Sequence, residues 1–194
     1  LGEAILSDQT EQVAKLLDKD ADPSQPFEAI DMYENKITMT PLGEAIRMGN
    51  TALVAKLLDK GADPEQIFET IDIEGNKIRT TPLGLAISMD NTDLAVKFLV
   101  KGANPNQTVE IIENGKKITT TPLGEAIRMV NTDLLAKLLD MDADPNQTFE
   151  AIDMEGNKIT TTPLGEAINR DQTELIAKLL DKGADPNQTF EAID

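Results

Sequence analysis

The stretch Thr40-Pro41-Leu42-Gly43-Glu44-Ala45-Ile46 decides the fold, because Thr-Pro-Leu-Gly returns at Thr81, Thr121 and Thr162, at spacings of 41, 40 and 41 residues. A second series, Ala-Asp/Asn-Pro, recurs at Ala21, Ala62, Ala103, Ala143 and Ala184, at a constant phase to the first. Two phase-locked series define one structural unit, repeated along the chain.

Each unit opens with a Thr suited to capping a helix and a Pro suited to its first turn, as in Thr40-Pro41 and Thr121-Pro122. The short helix breaks around Gly49-Asn50-Thr51, where Asn or Thr can cap a second. That second helix sets Leu53, Val54, Leu57 and Leu58 on one stripe, with Lys56 off it. Gly61 supplies a left-handed residue at its end, and Pro64 prevents continuation. Asp20 and Asp142 stand at the Gly61 position in two copies, which predicts slightly weaker units.

The rest of each unit, as in Phe149 to Thr162, reads as two strands around a polar turn. Pairing Ile152 with Ile159 sets Asp153 against Lys158, and the same rule gives Ile30/Ile37 with Asp31/Lys36 and Ile71/Ile78 with Asp72/Lys77. In the shorter third copy, holding Ile112 against Ile118 implies a three-residue loop. A two-residue Asn114-Gly115 turn would instead set Ile112 against Lys117. A two-stranded hairpin is about 9.6 Å wide, close to the spacing of packed helices, so successive hairpins are expected to join into one antiparallel sheet.

Composition bounds the chemistry. With 40% hydrophobic and 3% aromatic residues, the core must be built from Leu, Ile, Val, Ala and Met. No apolar run is long enough to span a bilayer and no targeting segment opens the chain, so a soluble protein is expected. The compartment stays open, with the cytoplasm the nearer expectation. The absence of cysteine excludes disulfides and thiolate sites, and the absence of histidine removes the commonest general base and metal ligand. A net charge of −17 repels a phosphate backbone, which argues against a nucleic-acid partner.

The string Thr-Pro-Leu-Gly-Glu-Ala-Ile, then Gly-Asn, then Val-Ala-Lys-Leu-Leu-Asp-Lys-Gly-Ala-Asp-Pro resembles the ankyrin repeat's helix-turn-helix and following loop. The resemblance recurs in every copy. Where that family usually has His after Thr-Pro-Leu, this chain has Gly43, Gly84, Gly124 and Gly165, and its unit exceeds the usual length of about 33 residues. The resemblance implies a helical solenoid with β-hairpins at one edge, a single array over residues 1–194 of about four and a half repeats. Leu1 to Ile5 lies inside a first helix and Phe190 to Asp194 inside a first strand, so the array is expected to continue on both sides. The strand Phe190 to Asp194, lacking its partner, is expected to fray or to pair with another chain, one route to edge-strand or end-to-end self-association.

The resemblance also implies a scaffold that binds a protein partner, without catalysis, cofactor or metal. The competing readings are a passive spacer and a carboxylate-based hydrolase, for which no converging acidic pair stands out. Partner contacts are expected where copies differ: at the first-helix exits Arg47-Met48, Ser88-Met89, Arg128-Met129 and Asn169-Arg170, and at Tyr33, Met39, Ile73 and Arg79 in the hairpins. Arg, Tyr and Met are enriched at interfaces, and exposed Met residues would form an adaptable ladder.

Two further patterns read as structural. Asp18 to Asp22 and Asp140 to Asp144 open like a calcium loop, but Pro23 and Pro145 stand where Gly is needed, and Ala29 and Ala151 where the closing Glu belongs. The sequons at Asn106, Asn146 and Asn187 are copies of one loop.

Overall fold

The computed structural model describes residues 1–7, 9–31, 34–71 and 75–188. Helix pairs alternate with hairpins. The first pair is α1 (Gly2–Leu6) and α2 (Thr10–Leu17), followed by the hairpin β1 (Phe27–Ile30) and β2 (Lys36–Met39). Next come α3 (Pro41–Arg47), α4 (Thr51–Asp59), β3 (Phe68–Ile71) and β4 (Lys77–Thr80). The third group is α5 (Pro82–Ser88), α6 (Thr92–Val100), β5 (Val109–Glu113) and β6 (Lys116–Thr120). The fourth is α7 (Pro122–Arg128), α8 (Thr132–Asp140), β7 (Phe149–Ile152) and β8 (Lys158–Thr161), and α9 (Pro163–Asn169) with α10 (Thr173–Asp181) completes the order.

The caps follow from sequence. The hydroxyl oxygens of Thr40, Thr81, Thr121 and Thr162 each accept the amide of the glycine three residues on, at 3.0 Å. Asn50, Asn91 and Asn131 cap the second helices by accepting the amides of Leu53, Leu94 and Leu134. Second helices end on left-handed residues, Gly61, Gly102 and Gly183 in three copies and Asp20 and Asp142 in the other two.

The core is one continuous aliphatic cluster through the helix layers, and the stripe Leu53, Val54, Leu57, Leu58 lies inside it. The glycine after Thr-Pro-Leu is dictated by close approach. A Cβ on Gly43 would stand 2.8 Å from the Phe68 ring, and one on Gly124 would stand 2.6 Å from the Thr120 hydroxyl and 2.9 Å from the Phe149 ring. The first apolar residue of the hairpin, Phe68, Val109 or Phe149, therefore packs directly against the helix at the glycine.

First-helix exits also turn left-handed: Gly49, Asp90, Val130 and Asp171 all have positive φ, 56° at Val130. A β-branched residue is unfavourable there by roughly 1–2 kcal/mol, and Val130 is 60% exposed, with little packing to offset it. Val130→Gly should therefore raise stability by about 1 kcal/mol, read as a higher urea midpoint at unchanged slope; an unchanged or lower midpoint would contradict the assignment.

The hairpins differ from expectation in two ways. The register is shifted by one: Ile37 faces Ala29, Ile78 faces Thr70 and Ile159 faces Ala151, while Lys36, Lys77 and Lys158 face Ile30, Ile71 and Ile152. A slip of one residue exchanges the two faces of a strand, and the observed choice sets Ala29, Ile37 and Met39 inward. Asp31 and Asp153, expected opposite lysines, instead bind the backbone amides of Asn35 and Asn157 at 2.8 and 2.7 Å and close the hairpin tips. Asp72 lies outside the described residues. In the third hairpin Ile112 faces Lys117 around a two-residue Asn114-Gly115 turn, both residues at positive φ, so the three-residue loop is not formed.

The second difference is that the hairpins form four separate two-stranded sheets and not one continuous sheet. Neighbouring edges, β2 with β3, β4 with β5 and β6 with β7, lie close together, but no backbone ladder joins them. Side chains span the gap.

Candidate functional site

A carboxylate and an ammonium join each hairpin to the one before it. Glu69 accepts the backbone amide of Thr38 at 2.7 Å, Glu110 that of Arg79 at 2.9 Å, and Glu150 that of Thr119 at 2.6 Å. Lys77 donates to both Glu69 and the Lys36 carbonyl, and Lys117 to both Glu110 and the Lys77 carbonyl. The first two clips thus grip an N–H and a C=O two residues apart on the neighbouring strand edge, while in the third Glu150 holds the N–H and Lys158 pairs with Glu150. The signal in the sequence was the recurrence of Glu28, Glu69, Glu110 and Glu150, each followed seven or eight residues later by Lys36, Lys77, Lys117 and Lys158.

The Thr38 amide is the main influence holding the Glu69 carboxyl below its ordinary value. Burial works to raise Glu150, but hydrogen bonds from Lys158 and Thr119 outweigh it. Groups lowered in the folded state add stability above their unfolded-state pKa and lose it as pH falls through the folded one. Acidification from neutrality through the carboxylate range should therefore loosen the hairpin row. Glu69→Gln plus Glu150→Gln should cost about 1 kcal/mol per site at pH 7 and little below pH 3, measured by urea titration; an equal loss at both pH values would exclude ionised clips.

The first-helix exits carry a second device. Glu44, Glu125 and Glu166 are 2%, 1% and 4% exposed. Arg47 pairs with Glu44, Arg128 with Glu125 at 2.7 Å, and Arg170 with Glu166 and with Glu113 of β5 at 2.9 Å. The α5 copy replaces both partners at once, with Leu85 buried and Ser88 donating to the Leu85 carbonyl at 2.9 Å, whereas α1 keeps Glu3, exposed, with Leu6 at the Arg47 position. The joint change in α5 is the legible sign of a buried pair.

Of the expected contact residues, Arg47, Arg79, Ser88, Met89 and Asn169 are exposed, and Met48, Arg128, Met129 and Arg170 half-buried. Met48 and Met129 pack against the core, so the Met residues do not form an exposed ladder; Met89 alone among the three exits' methionines is largely exposed. Met39 is buried at 1% and cannot meet a partner, because it lies on the inward face with Ile37. Tyr33, Ile73 and the strand Phe190 to Asp194 lie outside the described residues.

The structure brings several of the others to grooves between hairpins and helix exits. One, of about 550 Å³, lies beside the shortened third hairpin and is lined by Glu113, Asn114, Ile152, Met154, Asn169 and Arg170. Arg47 borders a smaller groove with Leu6, Ile30 and Ile71, and Arg79 another with Ile67 and Val109.

The loops after the second helices are also joined unit to unit. The Asn106 side chain accepts the Asp144 amide at 2.8 Å and donates to the Asp142 carbonyl, and Asn146 repeats this with Asp185 and Gly183. The sequon asparagines at 106 and 146 are thus structural staples. Among the described residues no group of acidic side chains is placed to hold a metal ion, and no helix is long and apolar enough to cross a membrane.

Stacked helix pairs with projecting hairpins define a repeat solenoid. Residues 79–109, from β4 through α5 and α6 to the start of β5, match the ankyrin repeat family model, and the other units repeat the same order of helix pair and hairpin. No curated protein matches the chain. Ankyrin repeats are generally protein–protein interaction modules.

Proposed function

We propose that this chain is a non-catalytic scaffold that captures a protein partner along its hairpins and first-helix exits. The observation that supports it is the groove beside the third hairpin, where Asn169 and Arg170, two positions that vary among copies, meet the 97%-exposed Met154. Arg47, Arg128 and Arg170 are already neutralised by buried carboxylates. They offer half-exposed guanidinium planes more than free charge, which suits stacking and hydrogen bonding at a mixed interface.

The test uses one hairpin residue and one first-helix exit outside the buried pairs. A partner captured from lysate and identified by mass spectrometry should be retained at least tenfold less by Arg79→Ala plus Met89→Ala, while Lys56→Ala plus Lys137→Ala on the second helices leaves capture unchanged. Loss with the lysine variant alone would place the contact on the opposite face.

A further inference from the structure

Most of the asparagines in this chain have a structural task. Asn50, Asn91 and Asn131 cap second helices, Asn35 and Asn157 donate to Asp31 and Asp153 at hairpin tips, and Asn106 and Asn146 staple loops. Asn114 differs. It is exposed at the rim of the groove beside the third hairpin, and among the described residues its side chain has no hydrogen-bond partner.

Its neighbour differs as well. Asn114 precedes Gly115, whereas every other asparagine in the sequence precedes a bulkier residue. Among the described residues the Gly115 N–H donates to nothing, while the Gly156 N–H in the fourth hairpin donates to the Asp153 carbonyl at 3.0 Å. A Cβ placed on Gly115 would meet nothing within 4 Å, so the space around the turn is open. The two-residue turn is closed by the Glu113/Lys116 pair at the free end of a two-stranded sheet, where fraying costs little.

We propose that Asn114 is a site of spontaneous deamidation, with water as the co-reactant, and that the modification loosens the third hairpin. The Gly115 nitrogen, unshielded by a Cβ, loses its proton to hydroxide and attacks Cγ of Asn114. The N–Cγ bond forms, the Cγ–Nδ2 bond breaks, and the amide nitrogen takes up a proton from water and leaves as ammonia. Water then opens the resulting succinimide at Cγ, giving aspartate, or at the backbone carbonyl carbon, giving isoaspartate.

Either product adds a negative charge to the rim of the groove. Isoaspartate also inserts one carbon into the main chain of a two-residue turn, which then cannot keep Glu113 opposite Lys116. Those two residues tie the tip to the fourth unit, Glu113 through Arg170 at 2.9 Å and Lys116 through the Gly156 carbonyl at 2.6 Å. The hairpin wall of the groove therefore loosens with the age of the molecule, whatever the groove binds.

Ageing the folded full chain at pH 8, followed by tryptic digestion and tandem mass spectrometry beside an unaged sample, tests this. The peptide from Gly102 to Lys116 should gain one mass unit at Asn114 and not at Asn104 or Asn106, which it also contains. The rate at Asn114 should exceed that at every other asparagine at least tenfold and stay within tenfold of its rate in urea. Part of the product should resist an Asp-specific protease, which marks isoaspartate. Hydrogen exchange in β5 and β6 should quicken in the aged chain and not in Asn114→Asp, which carries the charge without the extra carbon. Asn114 left intact while the chain in urea is converted, conversion spread evenly over the asparagines, or unchanged exchange in β5 and β6 once isoaspartate has formed would each overturn the proposal.

Discussion

Gly43→Ala should lower stability by about 2 kcal/mol, although alanine is ordinarily worth about 1 kcal/mol more than glycine inside a helix. The new Cβ would meet three atoms of the Phe68 ring at 2.8 to 2.9 Å. The ring is 2% exposed and held in the core, so it cannot swing aside. Phe68→Ala alone should cost about 3–5 kcal/mol through the cavity it leaves. The double variant should cost clearly less than the sum, because the added methyl occupies space that the ring vacates. Urea titrations of all three would decide it, and additive losses would show that ring and glycine are not in contact. Gly43→His, which restores the residue usual in the family, should prevent folding.

The second large effect is expected at the buried carboxylate of α7. Arg128→Ser removes the side-chain partner of Glu125, which is 1% exposed, and should cost about 3 kcal/mol. Adding Glu125→Leu should recover most of that loss, since the unit with Leu85 and Ser88 is already built this way. A double variant no more stable than Arg128→Ser would mean that the guanidinium acts mainly through Glu113, which also lies near Arg128.

Local rules made part of this architecture legible before any coordinates. Thr40 capping Gly43, the stripe from Leu53 to Leu58 and the left-handed Gly61 depend on residues within one turn of each other. The hairpin register depended on which face is buried, and a small Ala29 opposite Ile37 says less about that than the bulkier Ile30 beside it. Period-two alternation alone would have placed Met39 inward with Ile37. The clips were harder to see, because Glu69 and Thr38 lie 31 residues apart and one partner is a backbone amide that sequence never displays. The buried Glu–Arg pairs show themselves only when α5 is compared with α3 and α7, between which the two positions change together.

The clips also give the two sides of the solenoid different stiffness. On the helix side, neighbours interlock through close-packed aliphatic side chains, which resist displacement. On the hairpin side they are joined by the flexible arms of Glu69, Glu110 and Glu150, which can pivot while keeping hold of an amide. Bending should therefore concentrate on the hairpin rim. The array can behave as a leaf spring, stiff along its back, whose front edge opens or closes by small rotations at each clip and adjusts its curvature to what lies against it.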